Sequence, residues 1–212
     1  MDELQSRNEM VRLGRLLHQR GYVAATDGNL TVRLGPDRIL TTPTNVSKGM
    51  MEPEDLVVVD SQGQKISGSN CPSSEIAMHL LIYRLRPAVN GIVHAHPVTA
   101  TGYAAAGLEL NHALISEVVL SLGSIPLARY GCPGTAELSA SLEPLVPYHD
   151  AILMANHGVV CYGDTLQRAY LRMETVEHFA KIALVTHLLG KEKPLDASEV
   201  EKLVAVRARN YS

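Results

Sequence analysis

The stretch that decides the fold is Gly91-Ile92-Val93-His94-Ala95-His96-Pro97. This apolar run carries two histidines two residues apart and predicts a short buried strand. Side chains alternate between the two faces of a strand, so His94 and His96 point to one side and Ala95 points to the other. The pattern therefore places two imidazoles side by side at the end of a strand, as two metal ligands would be.

A third histidine follows a second apolar run. His157 stands in Ala155-Asn156-His157-Gly158, directly after Ala151-Ile152-Leu153-Met154. Three histidines that leave a fourth position open are typical of a catalytic divalent metal site. The alternative is that all three are core histidines hydrogen-bonded to the backbone, which their shared place at strand ends makes the weaker interpretation.

Ser73-Ser74-Glu75 stands at the start of a predicted helix. The unpaired N–H groups and the positive dipole end of a helix N-terminus suit an anion, and the serine hydroxyls add donors. Plain N-capping by serine is the more common role of such a pattern. A Glu in a first turn often only complements the helix dipole, whereas beside a cation Glu75 could act as a general acid/base or a fourth ligand.

Weaker signals come from short polar groups in two loops, at Gly28-Asn29, Thr44-Asn45 and Ser47-Lys48. Each of them alone is an ordinary turn. The other histidines show no partner pattern. Among these, His79 lies one helical turn beyond Glu75, and for it we expect packing more than orientation of Glu75.

The elements along the chain predict one domain over residues 1–212, in the α/β class with three layers and a largely antiparallel central sheet covered by helices. An amphipathic helix is expected over residues 3–20. Strands are expected around residues 118–122 and 125–128. The longest helix is expected to start at Asp164, with Gln167 completing a capping box.

Composition excludes several classes of protein. The net charge of −3 gives no basic excess to attract nucleic acid or an anionic membrane. The first residues are polar and acidic, which is not a signal peptide, and no apolar run approaches the length of a membrane span. The three isolated cysteines are typical of reduced thiols. We therefore expect a cytoplasmic protein without nucleic-acid or membrane partners.

Taken together, these motifs resemble the class II aldolase/adducin family, and in layout the L-fuculose-1-phosphate aldolases. The residues that carry the resemblance appear in family order along nearly the whole chain: Gly28-Asn29, Thr42-Pro43-Thr44, Ser73-Ser74-Glu75, His94-Ala95-His96, Ile125-Pro126, Tyr130, Gly134-Thr135 and Asn156-His157-Gly158. As a set they are highly specific for the family and less specific for one substrate.

The resemblance implies a role for each group of residues. His94, His96 and His157 would bind Zn²⁺ or another divalent ion such as Mn²⁺ or Co²⁺, and Glu75 would be the catalytic acid/base. The set that binds a sugar phosphate would be Gly28, Asn29, Thr44, Asn45, Lys48, Ser73 and Ser74. Tyr211 would match a catalytic tyrosine of the C-terminal tail.

The implied activity is that of a metal-dependent carbon–carbon lyase. It would cleave a ketose 1-phosphate reversibly to dihydroxyacetone phosphate and an aldehyde through a metal-stabilised enediolate. The family also implies a homotetramer of C4 symmetry with sites between subunits. Alternatives are a dehydratase of the methylthioribulose-1-phosphate type, a decarboxylase or an epimerase with the same site, and a non-catalytic adducin-like binding module.

The chain departs from the family pattern at three places. Asn45 stands where the family has a glycine, and Lys48 supplies a cation in the neighbouring loop. Glu117 stands near the position of a catalytic tyrosine, as in the dehydratase branch, where a glutamate is the base. These departures affect the predicted substrate pocket and leave the predicted metal ligands unchanged.

Overall fold

A sheet of eight strands forms the middle layer of the computed structural model, which describes residues 2–210. The strands are β1 Asn29–Gly35, β2 Arg38–Thr41, β3 Val57–Val59, β4 Lys65–Ser67, β5 Gly91–Ala95, β6 Leu127–Ala128, β7 Ala151–Met154 and β8 Gly158–Gly163. Their order across the sheet is β4-β3-β2-β1-β5-β8-β7-β6. Neighbouring strands are antiparallel except β6 and β7, which are parallel.

Helices cover both faces of this sheet. They are α1 Glu3–Gln19, α2 Ile76–Leu85, α3 Val98–Ala105, α4 Ser116–Ser121, α5 Ala136–Leu142, α6 Leu166–Leu188 and α7 Ala197–Asn210, with a 3₁₀ turn at Pro53–Asp55. Residues of α1, α3, α4 and α6 share one apolar core, and residues of α2 and α5 share the other. The predicted three-layer α/β fold with a largely antiparallel sheet is therefore confirmed. Among the helices of residues 2–210, none has the length and apolar character needed to cross a membrane.

Strand β5 lies near the middle of the sheet and shows the expected alternation. Ile92 packs in the core beneath α2 and α5, whereas Val93 and Ala95 pack in the opposite core. His94 therefore faces the α2 side, and it is fully buried. Its register partners are Asn29 on β1 and Val160 on β8, so the strand order brings Asn29 beside the first histidine.

Two local predictions were wrong. Residues 118–122 were predicted as a strand, but residues 118–121 belong to helix α4 and Leu122 is its C-cap; Val118, Val119 and Leu122 are buried. This spacing suits one face of a helix, and a short apolar run by itself does not separate helix from strand. The capping residue of α6 is Thr165, whose hydroxyl accepts the backbone N–H of Arg168, in place of Asp164.

Strand β5 passes so close to α6 that position 91 has room for a glycine only. A Cβ added there would lie 2.3 Å from the backbone of Leu166, and backbone cannot move aside as a side chain can. We expect Gly91→Ala to lower the free energy of unfolding by more than about 1 kcal/mol because of this overpacking.

The control is Gly102→Ala within α3, where an added Cβ meets nothing within 4 Å. Alanine is the better helix former, so this change is expected to stabilise by up to about 1 kcal/mol. Urea denaturation of both variants measures the difference. Equal stabilities would show that the β5–α6 contact is not as tight as described.

Candidate active site

Three imidazoles converge where β5 ends beside the turn from β7 to β8. The ring centroids of His94 and His96 are 4.9 Å apart, and those of His94 and His157 are 4.7 Å apart. One nitrogen from each of the three rings lies within 4.8 Å of the others. The histidines that the sequence singles out are thus brought together in a geometry that can hold one metal ion.

The β7–β8 turn has the backbone that this convergence requires. Asn156 has a φ of +55°, in the left-handed region that asparagine tolerates better than most residues. A Cβ on Gly158 would lie 2.5 Å from Cδ2 of His96. The residues on both sides of His157 are therefore the types that let its ring meet the ring of His96.

Glu75 lies in the same cluster, at the N-cap position of α2, and is 8% exposed. Its Oε1 is 3.1 Å from Nε2 of His157, and its Oε2 is 3.3 Å from Nε2 of His94. Burial raises the pKa of this carboxyl group, but the adjacent His94 and His157 outweigh burial and hold the pKa well below its usual value. Glu75 is thus placed as a charged partner of the histidines.

The hydrogen bonds of the rings fit a divalent cation. Nδ1 of His94 lies 2.9 Å from the carbonyl oxygen of Val159, which only accepts, so Nδ1 carries the proton and Nε2 presents a lone pair. Nδ1 of His96 lies 3.4 Å from a carboxylate oxygen of Asp27, which directs its Nε2 toward Nε2 of His94 at 3.1 Å. Burial lowers the pKa of His96 to about 4, so this ring is neutral at neutral pH. Imidazole nitrogens that converge beside a carboxylate suit a metal ion.

Backbone hydrogen bonds hold together the two loops that carry residues of the predicted phosphate site. The backbone N–H of Thr44 donates to the carbonyl of Cys71, and that of Ser73 donates to the carbonyl of Thr42. A β-bridge pairs Pro43 with Pro72. The loops that carry Thr44 and Ser73-Ser74 are thus adjacent, at the start of α2. Their binding of phosphate stays a prediction.

Lys48 is 1% exposed and joins two of these loops from the inside. Its Nζ donates to the carbonyl oxygens of Thr26, at 2.9 Å, and Val46, at 2.7 Å. Burial lowers the pKa of Lys48 to about 8, against the attraction of Asp27. The ammonium group therefore stabilises the loop ahead of Gly28-Asn29 and the loop of Thr44-Asn45. Direct contact of Lys48 with substrate stays a prediction.

Gly28 and Asn45 both have left-handed backbone conformations in these loops. Gly28 has a φ of +72°, and an added Cβ would lie 2.8 Å from the carbonyl oxygen of His94. Asn45 has a φ of +58°, which asparagine adopts more readily than most residues. Its side chain is exposed.

The two other predicted catalytic residues are placed differently. Tyr211 lies outside the described residues. Glu117 is exposed in the first turn of α4. Within residues 2–210, no ion pair joins the Glu117 carboxylate to the three histidines. A role for either residue stays a prediction.

Sequence reasoning missed Asp27 and favoured packing as the role of His79. Asp27 approaches His96, and His79 hydrogen-bonds the side chain of Asn29. For His79 the spacing of four residues from Glu75 was an available signal, because it puts both on one helical face. For Asp27 nothing in the local sequence distinguishes it from an ordinary turn residue.

Fold and site together define a class of protein, and the comparisons with known proteins agree with it. The family described as the Class II Aldolase and Adducin N-terminal domain matches residues 8–184. The chain belongs to this family.

Individual relatives cover nearly the whole chain. A 3-oxo-tetronate 4-phosphate decarboxylase of Escherichia coli O6:H1 is 35% identical over 95% of this chain and 96% of its own length. An L-fuculose phosphate aldolase of Methanocaldococcus jannaschii is 34% identical over 87% of this chain and 99% of its own length. The crystal structure of YgbL from Klebsiella pneumoniae, whose description leaves open an aldolase, an epimerase or a decarboxylase, has a TM-score of 0.89. It is 34% identical and covers 96% of this chain and 99% of its own.

The metal content of the protein directly tests whether the three histidines bind an ion. We expect the protein to bind about one Zn²⁺ or Mn²⁺ per chain, and His94→Ala to weaken that affinity by more than about tenfold because one ligand is lost. Dialysis against metal followed by elemental analysis measures it. The matched control is His178→Ala, since His178 is exposed on α6. Full metal retention by His94→Ala would contradict the site.

Proposed function

We propose that this chain is a divalent-metal-dependent decarboxylase of a phosphorylated 3-oxo sugar acid, of the 3-oxo-tetronate 4-phosphate type. The observation that carries the proposal is the 35% identity to a decarboxylase of that name over 95% of this chain. The pairing of a three-histidine cluster with a buried carboxylate supplies the groups that such a reaction uses.

The chemistry of a 3-oxo acid suits this site. As the bond between C1 and C2 breaks, C1 leaves as CO₂ and the electron pair moves toward the ketone oxygen. A proton added at C2 then completes dihydroxyacetone phosphate. A divalent cation held by His94, His96 and His157 would supply Lewis acidity at the developing oxyanion. The Glu75 carboxylate, at 3.1 Å and 3.3 Å from two of these histidines, would take up a proton from water and pass it to C2.

The remaining residues hold the phosphate and the carbon chain. Ser73, Ser74 and Thr44 lie in adjacent loops at the start of α2, where backbone N–H groups and hydroxyls suit a phosphate. Gly28 lets the backbone of its loop approach His94. The phosphate then fixes the distance from this end of the substrate to the carbon atoms at the metal.

An aldolase is the second candidate, favoured by the 34% identity to an L-fuculose phosphate aldolase. Aldol cleavage of a ketose 1-phosphate releases the same dihydroxyacetone phosphate, so both reactions place negative charge on the same three-carbon fragment. They differ in the leaving group, which is CO₂ in one and an aldehyde in the other. Departure of an aldehyde requires a base for its hydroxyl proton, whereas departure of CO₂ from a carboxylate requires none.

Among the described residues of a single chain, that difference favours decarboxylation. Glu117, one of the residues proposed for the aldehyde side, is exposed on α4 and makes no ion pair with the histidines among the described residues. A reaction that needs only one acid/base group, Glu75, fits the arrangement without a second one.

The direct test offers both substrates to the metal-loaded enzyme. We expect CO₂ and dihydroxyacetone phosphate from 3-oxo-tetronate 4-phosphate, and slower release of aldehyde from L-fuculose 1-phosphate. Isotope-labelled CO₂ is the readout, because dihydroxyacetone phosphate alone does not separate the two reactions. Faster aldehyde release than CO₂ release would make the aldolase the correct function.

Substitutions of the proposed acid/base residues separate decarboxylation from aldol cleavage. Glu75→Gln is expected to lower the rate of CO₂ release by about 100-fold or more, the usual effect of losing a general acid. Changes at Tyr211 or Glu117 are expected to lower aldol cleavage more than decarboxylation. If they lower both equally, a second acid/base group takes part in decarboxylation and the single-acid mechanism is wrong.

The identity of the metal as Zn²⁺, the single domain over residues 1–212 and the C4 homotetramer with sites between subunits remain proposals from the family resemblance. Size-exclusion chromatography with light scattering measures the mass of the assembly and so tests the homotetramer. We expect four times the 23.0 kDa mass of the chain, and the mass of a single chain would contradict it.

A further inference from the structure

A chain of buried side chains runs from the interior of the sheet to Glu75. Its members are Tyr83, Thr31, His79, Asn29 and Glu75, and none is more than 8% exposed. Tyr83 Oη lies 2.9 Å from Thr31 Oγ1, and Thr31 Oγ1 lies 2.8 Å from His79 Nδ1. His79 Nε2 lies 2.5 Å from Asn29 Oδ1, and Asn29 Nδ2 lies 2.7 Å from Glu75 Oε2.

The chemistry of these groups allows one direction for the hydrogen bonds nearest the site. The Glu75 carboxylate accepts, so the side of Asn29 that faces it must be the donating Nδ2. The Oδ1 of Asn29 then faces His79 and can only accept, so His79 carries its proton on Nε2.

The rest of the chain agrees with that assignment. Burial lowers the pKa of His79 to about 3, so the ring is neutral and has one proton. Its Nδ1 therefore accepts from the hydroxyl of Thr31, which in turn accepts from Tyr83. Every donor in this series points toward the carboxylate.

We propose that His79 is a positioning residue for the acid/base Glu75, acting through Asn29. By fixing the amide of Asn29, His79 keeps an N–H on Oε2 of Glu75 and so fixes the orientation of the carboxylate. This inference rests on the acid/base role proposed for Glu75. The other oxygen, Oε1, is buried and faces Nε2 of His157 at 3.1 Å, so the carboxylate is held between Asn29 and the histidines.

Substitution of His79 would leave the side-chain amide of Asn29 less firmly held. Without the N–H of His79, the buried Oδ1 of Asn29 has no donor, so the amide loses one of the two hydrogen bonds that hold it and can shift away from Oε2 of Glu75. Glu75 would then leave the position that its hydrogen bond defines. The effect falls on the proton-transfer step more than on substrate binding.

A matched pair of substitutions tests the role. The amide nitrogen of Gln reaches the position of Nε2, whereas that of Asn reaches only as far as Nδ1. We expect His79→Asn to lower kcat by about tenfold or more, as for other lost orienting partners, with a smaller change in KM. His79→Gln is expected to recover most of the kcat. Equal losses in the two variants, with equal metal content and thermal stability, would overturn the proposal.

A second measurement does not depend on the reaction. Neutron diffraction from deuterated crystals of the protein is expected to show a deuteron on Nε2 of His79 and none on Nδ1. A deuteron on Nδ1 would overturn the proposal whatever the enzyme catalyses. If the deuteron is on Nε2 but the protein releases no CO₂ from 3-oxo-tetronate 4-phosphate, the proposed function fails and the orientation of Asn29 stands.

Discussion

The antiparallel pairing of β5 with β8 is the constraint on which the site depends. It places His94 opposite Val160, and it lets Nδ1 of His94 donate to the carbonyl of Val159. That hydrogen bond fixes the ring and turns its Nε2 toward the other imidazoles. Because β8 starts directly after the turn that holds His157, the same pairing also brings the third histidine to the end of β5.

The charged Glu75 carboxylate beside the three histidines needs neighbouring groups that stabilise it. The buried Glu75 carboxylate and the buried His94 ring would be costly to remove from water without a cation or protons among them. Glu75 compensates the histidines, and Asn29 in turn hydrogen-bonds Glu75. The start of α2 thus connects the metal ligands with the loops proposed for phosphate.

Features that depend only on neighbouring residues in the chain could be predicted from the sequence. The alternation of His94 and His96 depends only on the period of a strand, and the place of Glu75 depends only on the start of a helix. The family motifs then gave the correct fold class. Residues 118–122 were mispredicted because a short apolar run fits either helix or strand until its packing partners are known.

Contacts between distant segments were beyond sequence reasoning. Asn29 and Glu75 are 46 residues apart, and Lys48 lies 22 residues from Thr26. Neither pairing leaves a periodic signal. The charge of Lys48 suggested contact with the substrate, and the sequence gives no sign of the hydrogen bonds by which its buried Nζ joins two loops. Such interior roles become visible only when the strand order and the loop contacts are known.

Anomalous diffraction from crystals of the Zn²⁺- or Mn²⁺-loaded protein tests the central claim most directly, since it locates the ion without reference to activity. We expect one peak per chain, about 2.0–2.2 Å from Nε2 of His94, His96 and His157. A peak bound by other residues, or no peak at these three nitrogens, would contradict the metal site and with it the proposed chemistry.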